Sequence, residues 1–175
     1  LQPFSIYGRS KLLAEENVRA YQQKGLPTTI IRPPIIYGPG DRYFMPIFLR
    51  LVRLPVLPLI NGGRNALDLV FAGDVAELLW RAASRDAAAG QVYNAGPGKV
   101  TSIFDLIQSY RRLTGKGPII LPIKYKTAQR AAWPLRRLLK PFIAAADDAL
   151  TPLGLSLMSR DLHLDMSRAA HDLHF

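Results

Sequence analysis

The run LPTTIIRPP, residues 26–34, sets two threonines and two isoleucines in succession between Gly25 and a Pro-Pro pair, with no polar alternation. A strand of this kind is predicted to be buried on both faces, as in a parallel sheet. Just before it, Tyr7 to Lys24 holds no proline, is rich in Ala, Glu, Leu, Arg and Lys, and stops at Gly25. It reads as a helix with a C-terminal glycine. The same alternation of helical and extended segments continues along the chain and argues for an α/β architecture.

The later segments keep this pattern. YGPGD and NGGRN read as turns, and YFMPIFLRLVRL as a helix interrupted at Pro46. ALDLVFAG alternates into one strand, and Asp74 with Glu77 three positions on reads as a capping box opening DVAELLWRAASR. A short strand, QVYNAG, precedes a helix from Ser102 to about Leu113. PIILPI is extended, TAQRAAWPLRRLLKPFIAAA is helical in part with breaks at Pro134 and Pro141, and SRAAHDL is a short closing helix. There is no internal repeat and no low-complexity tract.

Composition narrows the function classes. The 175 residues are 49% hydrophobic and include no cysteine, which excludes disulfides and Cys-based zinc sites and fits a reducing compartment. No apolar run approaches the roughly 18 residues of a spanning helix, and no charged leader with an apolar run stands at the start, so a cytoplasmic location is expected. With no Met at position 1, the chain is expected to be a fragment. Of its 23 basic residues, nine lie between Leu106 and Ala146, where there is no Asp or Glu; the other 14 face 13 acidic residues. The basicity therefore belongs to one segment. Within residues 127–143, Leu135, Leu138, Leu139 and Phe142 follow helical spacing, Arg136, Arg137 and Lys140 lie on another face, and Trp133 stands at the flank. That pattern suits either a peripheral membrane contact with anionic lipid or a lid that packs on the core. Nucleic acid is not an expected partner, since no recognised module accompanies the charge.

YGRSK, residues 7–11, carries the most specific chemistry. On a helix, positions i and i+4 lie one above the other, so Tyr7 and Lys11 project from one face. A phenol ordinarily titrates near about 10, and moving a proton near neutral pH requires lowering it by roughly three units, about 4 kcal/mol. A neighbouring ammonium supplies part of that by favouring the anion, and a cationic nicotinamide ring could supply more.

Five ordered blocks, PFSIYGRSKLLAEENV, TTIIRPPIIYGPGD, LDLVFAGDVAELL, GQVYNAGPGKVTS and LDMSRAAHDLHF, make the whole chain resemble the extended short-chain dehydrogenase/reductase family. The resemblance implies the C-terminal part of a doubly wound, Rossmann-like parallel sheet plus a small substrate domain. Residues 1–100 would be a remnant of the NAD(P)-binding domain interleaved with substrate-domain segments, and residues 101–175 mainly the substrate domain. It implies Tyr7 as acid/base, Lys11 as ligand of the nicotinamide ribose, and NAD or NADP as cofactor. Pro34 resembles the position whose backbone lies beside the nicotinamide carboxamide, although it also serves as a strand terminator. The family's Gly-rich pyrophosphate turn does not occur here: YGPGD and NAGPGK lack the G-x-G-x-x-G spacing. By the same resemblance the first five or so strands and the catalytic Ser/Thr lie outside this sequence, and the chain alone is expected neither to bind NAD(P) nor to turn over.

Departures from the family pattern point to the substrate. Nucleotide-sugar enzymes usually have Asn where Ile35 stands and commonly Arg where Leu67 precedes Asp68. Both exchanges remove polar recognition and favour an apolar ligand. The branch most resembled contains 3β-hydroxysteroid and sterol-4-carboxylate dehydrogenases, so the expected reaction is interconversion of a secondary alcohol and ketone on a sterol-like small molecule. A nucleotide-sugar epimerase or dehydratase, or a non-catalytic dinucleotide-binding scaffold or sensor, stays open beside it, as does a homodimer. Arg32 either approaches substrate or pairs with a neighbouring carboxylate, the commoner arrangement for an arginine at a strand end. Asp74 reads as a helix cap. His163, His171 and His174 have no partners in ligand spacing, so no metal is expected. His174 replaces the family's closing glycine and requires a left-handed backbone.

Overall fold

The computed structural model describes residues 6–139, 155 and 158–175. In chain order its elements are α1 (Ile6–Gln23), β1 (Ile30–Arg32), β2 (Ile35–Tyr37), α2 (Phe44–Leu51), β3 (Val56–Ile60), β4 (Ala66–Leu67), β5 (Leu69–Phe71), α3 (Ala72–Ala83), β6 (Val92–Asn94), β7 (Thr101–Ser102), α4 (Ile103–Thr114), β8 (Ile119–Ile123), α5 (Tyr125–Leu139) and α6 (Ser167–Leu173). They form two compact units, one of Leu1–Ile36, Val70–Gly98 and Leu164–Phe175, the other of Tyr37–Leu69 and Lys99–His163.

The first unit is built on a parallel pair. β1 lies beside β6 in the register Ile30↔Val92, Ile31↔Tyr93, Arg32↔Asn94. Parallel strands need a long crossover, and here about sixty residues intervene. The core joins Val70, Val75, Leu78, Ala82, Ala88, Tyr93, Ala95, Ala169 and Leu173, with Ile31 packed against it. Thus α3 and α6 lay their apolar sides on β6. The side chains of β1 are half-buried rather than buried on both faces. Among the described residues β1 is paired on one edge only, and α1 contributes no fully buried side chain.

The second unit rests on another parallel pair, β3 and β8, running from Val56↔Ile119 to Ile60↔Ile123. Phe48, Val52, Leu57, Leu59 and Ile107 form its main core, with α2 and α4 supplying the covering side chains. Ile60, Ala128, Ala132 and Leu155 form a smaller cluster under α5. β4 and β7 add a short antiparallel pair. Ser102 caps α4: its Oγ accepts from the Asp105 amide at 3.1 Å and donates to the Asp105 carboxylate at 2.6 Å. Gly115 ends that helix at φ +68°, where a side chain would be strained.

Four local expectations are corrected. Pro46 does not interrupt α2, because it falls in the first turn, where its missing N–H would have no helical partner anyway. The helix is capped instead by Asp41, whose carboxylate accepts from the amides of Tyr43, Phe44 and Met45 at 2.8, 3.0 and 2.8 Å. ALDLVFAG is two strands rather than one, since Asp68 lies between β4 and β5 with its amide donating to Leu162 O at 3.0 Å. Asp74 is not the cap of α3: the helix begins two residues earlier after Phe71, placing Asp74 in the first turn, where a negative charge complements the helix dipole. Finally, α5 runs through Pro134 without a break.

Trp133 on α5 is 72% exposed. The apolar face read through Leu135, Leu138, Leu139 and Phe142, and the break read at Pro141, fall outside the described residues and side chains. Among the described residues no helix is long and apolar enough to cross a membrane.

Candidate active site

Tyr7 and Lys11 stand on the first two turns of α1, and the helix brings them together as the i, i+4 spacing predicts. Lys11 Nζ lies 5.5 Å from the centroid of the Tyr7 ring, within cation–π range. Ser10 donates its hydroxyl to Tyr7 O at 2.8 Å. Tyr7 is 67% exposed, so its phenol is open to a ligand. Among the described residues Lys11 makes no ion pair, and its ammonium keeps its donors for another acceptor.

Each i+4 step along a helix drifts by about 40° around the axis. The stripe that begins at exposed Tyr7 therefore turns toward the packed side, and its third member, Glu15, is half-buried there. Glu15 meets Arg32, the last residue of β1, through two hydrogen bonds: Arg32 Nε to Oε1 at 2.8 Å and Nη2 to Oε2 at 2.5 Å. The Arg32 hydrogen bond holds the Glu15 carboxyl below its ordinary range against the opposing effect of burial, with Arg32 and Arg19 charge adding to the lowering. Arg32 is correspondingly raised by its bond to Glu15. Its backbone carbonyl accepts from the Ala95 amide at 3.0 Å, so the strand end is held on the β6 side too. Of the two arrangements open to Arg32 from sequence, the ion pair is the one observed.

Pro34 is half-buried in the link between β1 and β2, two residues past Arg32. It is joined to the Tyr7–Lys11 stripe through that arginine and Glu15. Glu15 is the residue that sequence reasoning missed; its signal was a carboxylate one further turn along the Tyr7–Lys11 stripe.

Other polar groups are occupied elsewhere. Asp68 is 1% exposed and faces His163 Nδ1 at 3.1 Å, while Leu162 N donates to Ala66 O at 2.9 Å, so the segment around His163 is laced to β4. Tyr93 is fully buried and donates to Asp172 at 3.2 Å; burial and that carboxylate push its phenol up, the opposite of what proton transfer near neutral pH needs. His174 is left-handed, at φ 53° and ψ 43°, and Arg81 hydrogen-bonds the carbonyls of Leu173 and His174. Among the described residues no group of three or more His, Cys, Asp or Glu could hold a metal ion.

Against this geometry stand four likenesses. The sequence profile of the NAD dependent epimerase/dehydratase family matches residues 1–96, more than half the chain. The 2-alkyl-3-oxoalkanoate reductase of Stenotrophomonas maltophilia strain K279a is 30% identical over 142 residues, 75% of this chain and 43% of that protein. The dTDP-L-rhamnose 4-epimerase of Burkholderia thailandensis is 33% identical over 113 residues, 60% of this chain and 31% of that protein. The chain thus spans less than half the length of these curated relatives. Among solved structures, UDP-glucuronic acid 4-epimerase from Bacillus cereus, crystallised with UDP-glucuronic acid and NAD, superposes with a TM-score of 0.68 at 22% identity. That match covers 99% of this chain and 48% of the other. The shared architecture is a Rossmann-like α/β fold with parallel strands.

Proposed function

The chain belongs to the NAD-dependent epimerase/dehydratase family, of the extended short-chain type, and from that premise we propose that it carries the acid-base residues of an NAD(P)-dependent oxidoreductase. The observation that carries this reading is the Tyr7–Lys11 pair, an exposed phenol with an ammonium 5.5 Å from its ring on the helix tied to the end of β1. Tyr7 Oη takes the proton of a substrate hydroxyl in the oxidising direction and returns it to the carbonyl oxygen in the reducing direction. Lys11 stabilises the charged phenol. The residues fit a dinucleotide, because the Lys11 ammonium is free of carboxylates among the described residues and suits a ribose hydroxyl, and Pro34 offers backbone for the nicotinamide carboxamide. Bound there, NAD(P) would supply the acceptor or donor of hydride. On this reading the first unit holds the cofactor and the second carries much of the substrate recognition.

The substrate we propose is a secondary alcohol or ketone on an apolar, sterol-like scaffold. Ile35 in β2 and Leu67 in β4 are both half-buried, and neither side chain can pair a diphosphate, whose desolvation would go uncompensated. The reductase relative, named for an oxo group on an alkyl chain, agrees with this. The dTDP-L-rhamnose 4-epimerase relative favours a second reading, a nucleotide-sugar epimerase.

One experiment tests both levels. The whole protein carrying this chain is assayed with NAD and NADP against a panel of hydroxysteroids and alkyl ketones and a panel of UDP- and dTDP-sugars. Turnover of an apolar alcohol or ketone is expected, with Tyr7→Phe lowering kcat by about 10²- to 10⁴-fold at nearly unchanged cofactor affinity. Lys11→Met should damage both. Sugar epimerisation alone would replace the apolar substrate by the second reading, and wild-type turnover by Tyr7→Phe would remove the acid-base role and favour a dinucleotide-binding scaffold.

A further inference from the structure

The geometry points to the Glu15–Arg32 ion pair as a positioning device for Lys11: by engaging both carboxylate oxygens of Glu15, Arg32 keeps them from the ammonium one turn away and leaves Lys11 to Tyr7 and the cofactor. This rests on the acid-base reading of Tyr7 and Lys11.

Three observations support it. First, Tyr7, Lys11 and Glu15 form one i, i+4, i+8 stripe, so a carboxylate at 15 stands within ion-pair reach of a lysine at 11, although lysine before glutamate is the weaker order for such a pair. Lys11 nevertheless stacks on Tyr7 and makes no ion pair among the described residues. Second, Arg32 meets both Glu15 oxygens in the fork geometry that a guanidinium matches, at 2.8 and 2.5 Å. The Glu15 and Arg32 side chains are 18% and 33% exposed, so water competes weakly for the pair. Third, α1 has no fully buried side chain, and its described tertiary hydrogen bonds are few. The Arg32 fork reaches it in mid-helix from a strand end that is itself held by the Ala95 amide. The same contact thus sets the rotation of α1 and removes a competitor for Lys11.

A purely structural tether and this device respond differently once the carboxylate is removed as well. In Arg32→Gln the freed Glu15 carboxylate draws Lys11 away. In the double variant Arg32→Gln/Glu15→Gln the tether is still lost but no carboxylate competes. The test uses the whole protein in two measurements. Steady-state kinetics on the substrate identified above should show kcat of Arg32→Gln reduced about tenfold with KM within about twofold, since small misplacements of a catalytic group cost rate more than binding. The double variant should regain about 1.4- to 2.3-fold, the size of the effect expected from one i, i+4 ion pair. Arg32→Lys, which keeps one charge-assisted bond to Glu15, should retain most of the turnover.

The second measurement needs neither cofactor nor activity. Lys11 acylation by acetic anhydride, read out by peptide mass spectrometry, should slow in Arg32→Gln and recover in the double variant, because an ammonium held by a carboxylate is less available as free amine. Arg19 is the other cation that acts on Glu15. If Arg19 takes the freed carboxylate, Lys11 labelling will not change between wild type and Arg32→Gln, and the proposal is overturned. It is overturned equally if the double variant is no faster than Arg32→Gln. Should Tyr7→Phe retain turnover, the acid-base reading fails by itself, while the labelling result still decides whether Arg32 governs Lys11.

Discussion

Asp41 shows how much one residue contributes at a junction read only as a turn. Burial raises its carboxyl, but the amides of Met45, Tyr43 and Phe44 lower it further, and the net effect is a downward shift from 3.8. A carboxyl lowered in the folded state stabilises above its unfolded value and loses that contribution as pH falls through the folded one. Asp41→Ala should therefore cost about 1 kcal/mol at neutral pH. The gap between wild type and variant should close as the pH is brought below about 3.8. Urea denaturation at a series of pH values checks this; a gap that stays constant down to about pH 3 would show that the carboxylate charge is not what caps α2. At the same scale, spacing alone places Tyr7 and Lys11 on one helix face, and the ordered family blocks around them single the pair out. Glu15 and Arg32 are seventeen residues apart across a turn, and no local periodicity joins them.

At the scale of elements, α5 is the least self-consistent helix. Pro134 sits inside it, where the ring removes one backbone hydrogen bond and crowds the preceding turn. The helix persists because Ala128 and Ala132 are buried against Ile60 and Leu155, and that packing outweighs the local preference. Pro134→Ala should therefore stabilise the protein, by up to about 3 kcal/mol if the helix unfolds with its unit. The thermal midpoint should rise, and an unchanged or lower midpoint would mean that the proline is accommodated without loss. Helix ends were readable where a side chain closes on its own backbone, as Ser102 does on Asp105. Asp74 suits either the cap or the first turn, and Pro46 breaks a helix interior but not a first turn, so only the path of the preceding chain decides where each helix starts.

At the scale of the molecule, two units each enclose their own core, one around Leu78 and Tyr93 and one around Ile107 and Val52. Leu78 and Ile107 are both fully buried. Truncating either to alanine should cost about 2–5 kcal/mol, through lost burial plus the cavity left behind. The losses should be separable by amide hydrogen exchange. Leu78→Ala should deprotect α3, β6 and α6 first, and Ile107→Ala should deprotect β3, β8 and α4 first. Uniform deprotection of all six elements in either variant would contradict two separate cores.

The sequence by itself determined the α/β class, the chain order of the helices and of β1, β6 and β8, the placing of Tyr7 and Lys11 on one helix face, and the family; it did not mark β2, β3 or β7. The features it determined rest on signals a few residues long: β-branched runs bounded by Gly and Pro, helical spacing, and ordered motif blocks. What only the tertiary structure decided were the contacts between segments far apart in the chain. They include the registers of β1 with β6 and of β3 with β8, the enclosure of Asp68 by the segment around His163, the half-burial of β1, and the clasp of Arg32 on Glu15. Local pattern says which faces of an element are apolar or charged; which neighbour meets each face is set by how the whole chain packs, and that information is not local.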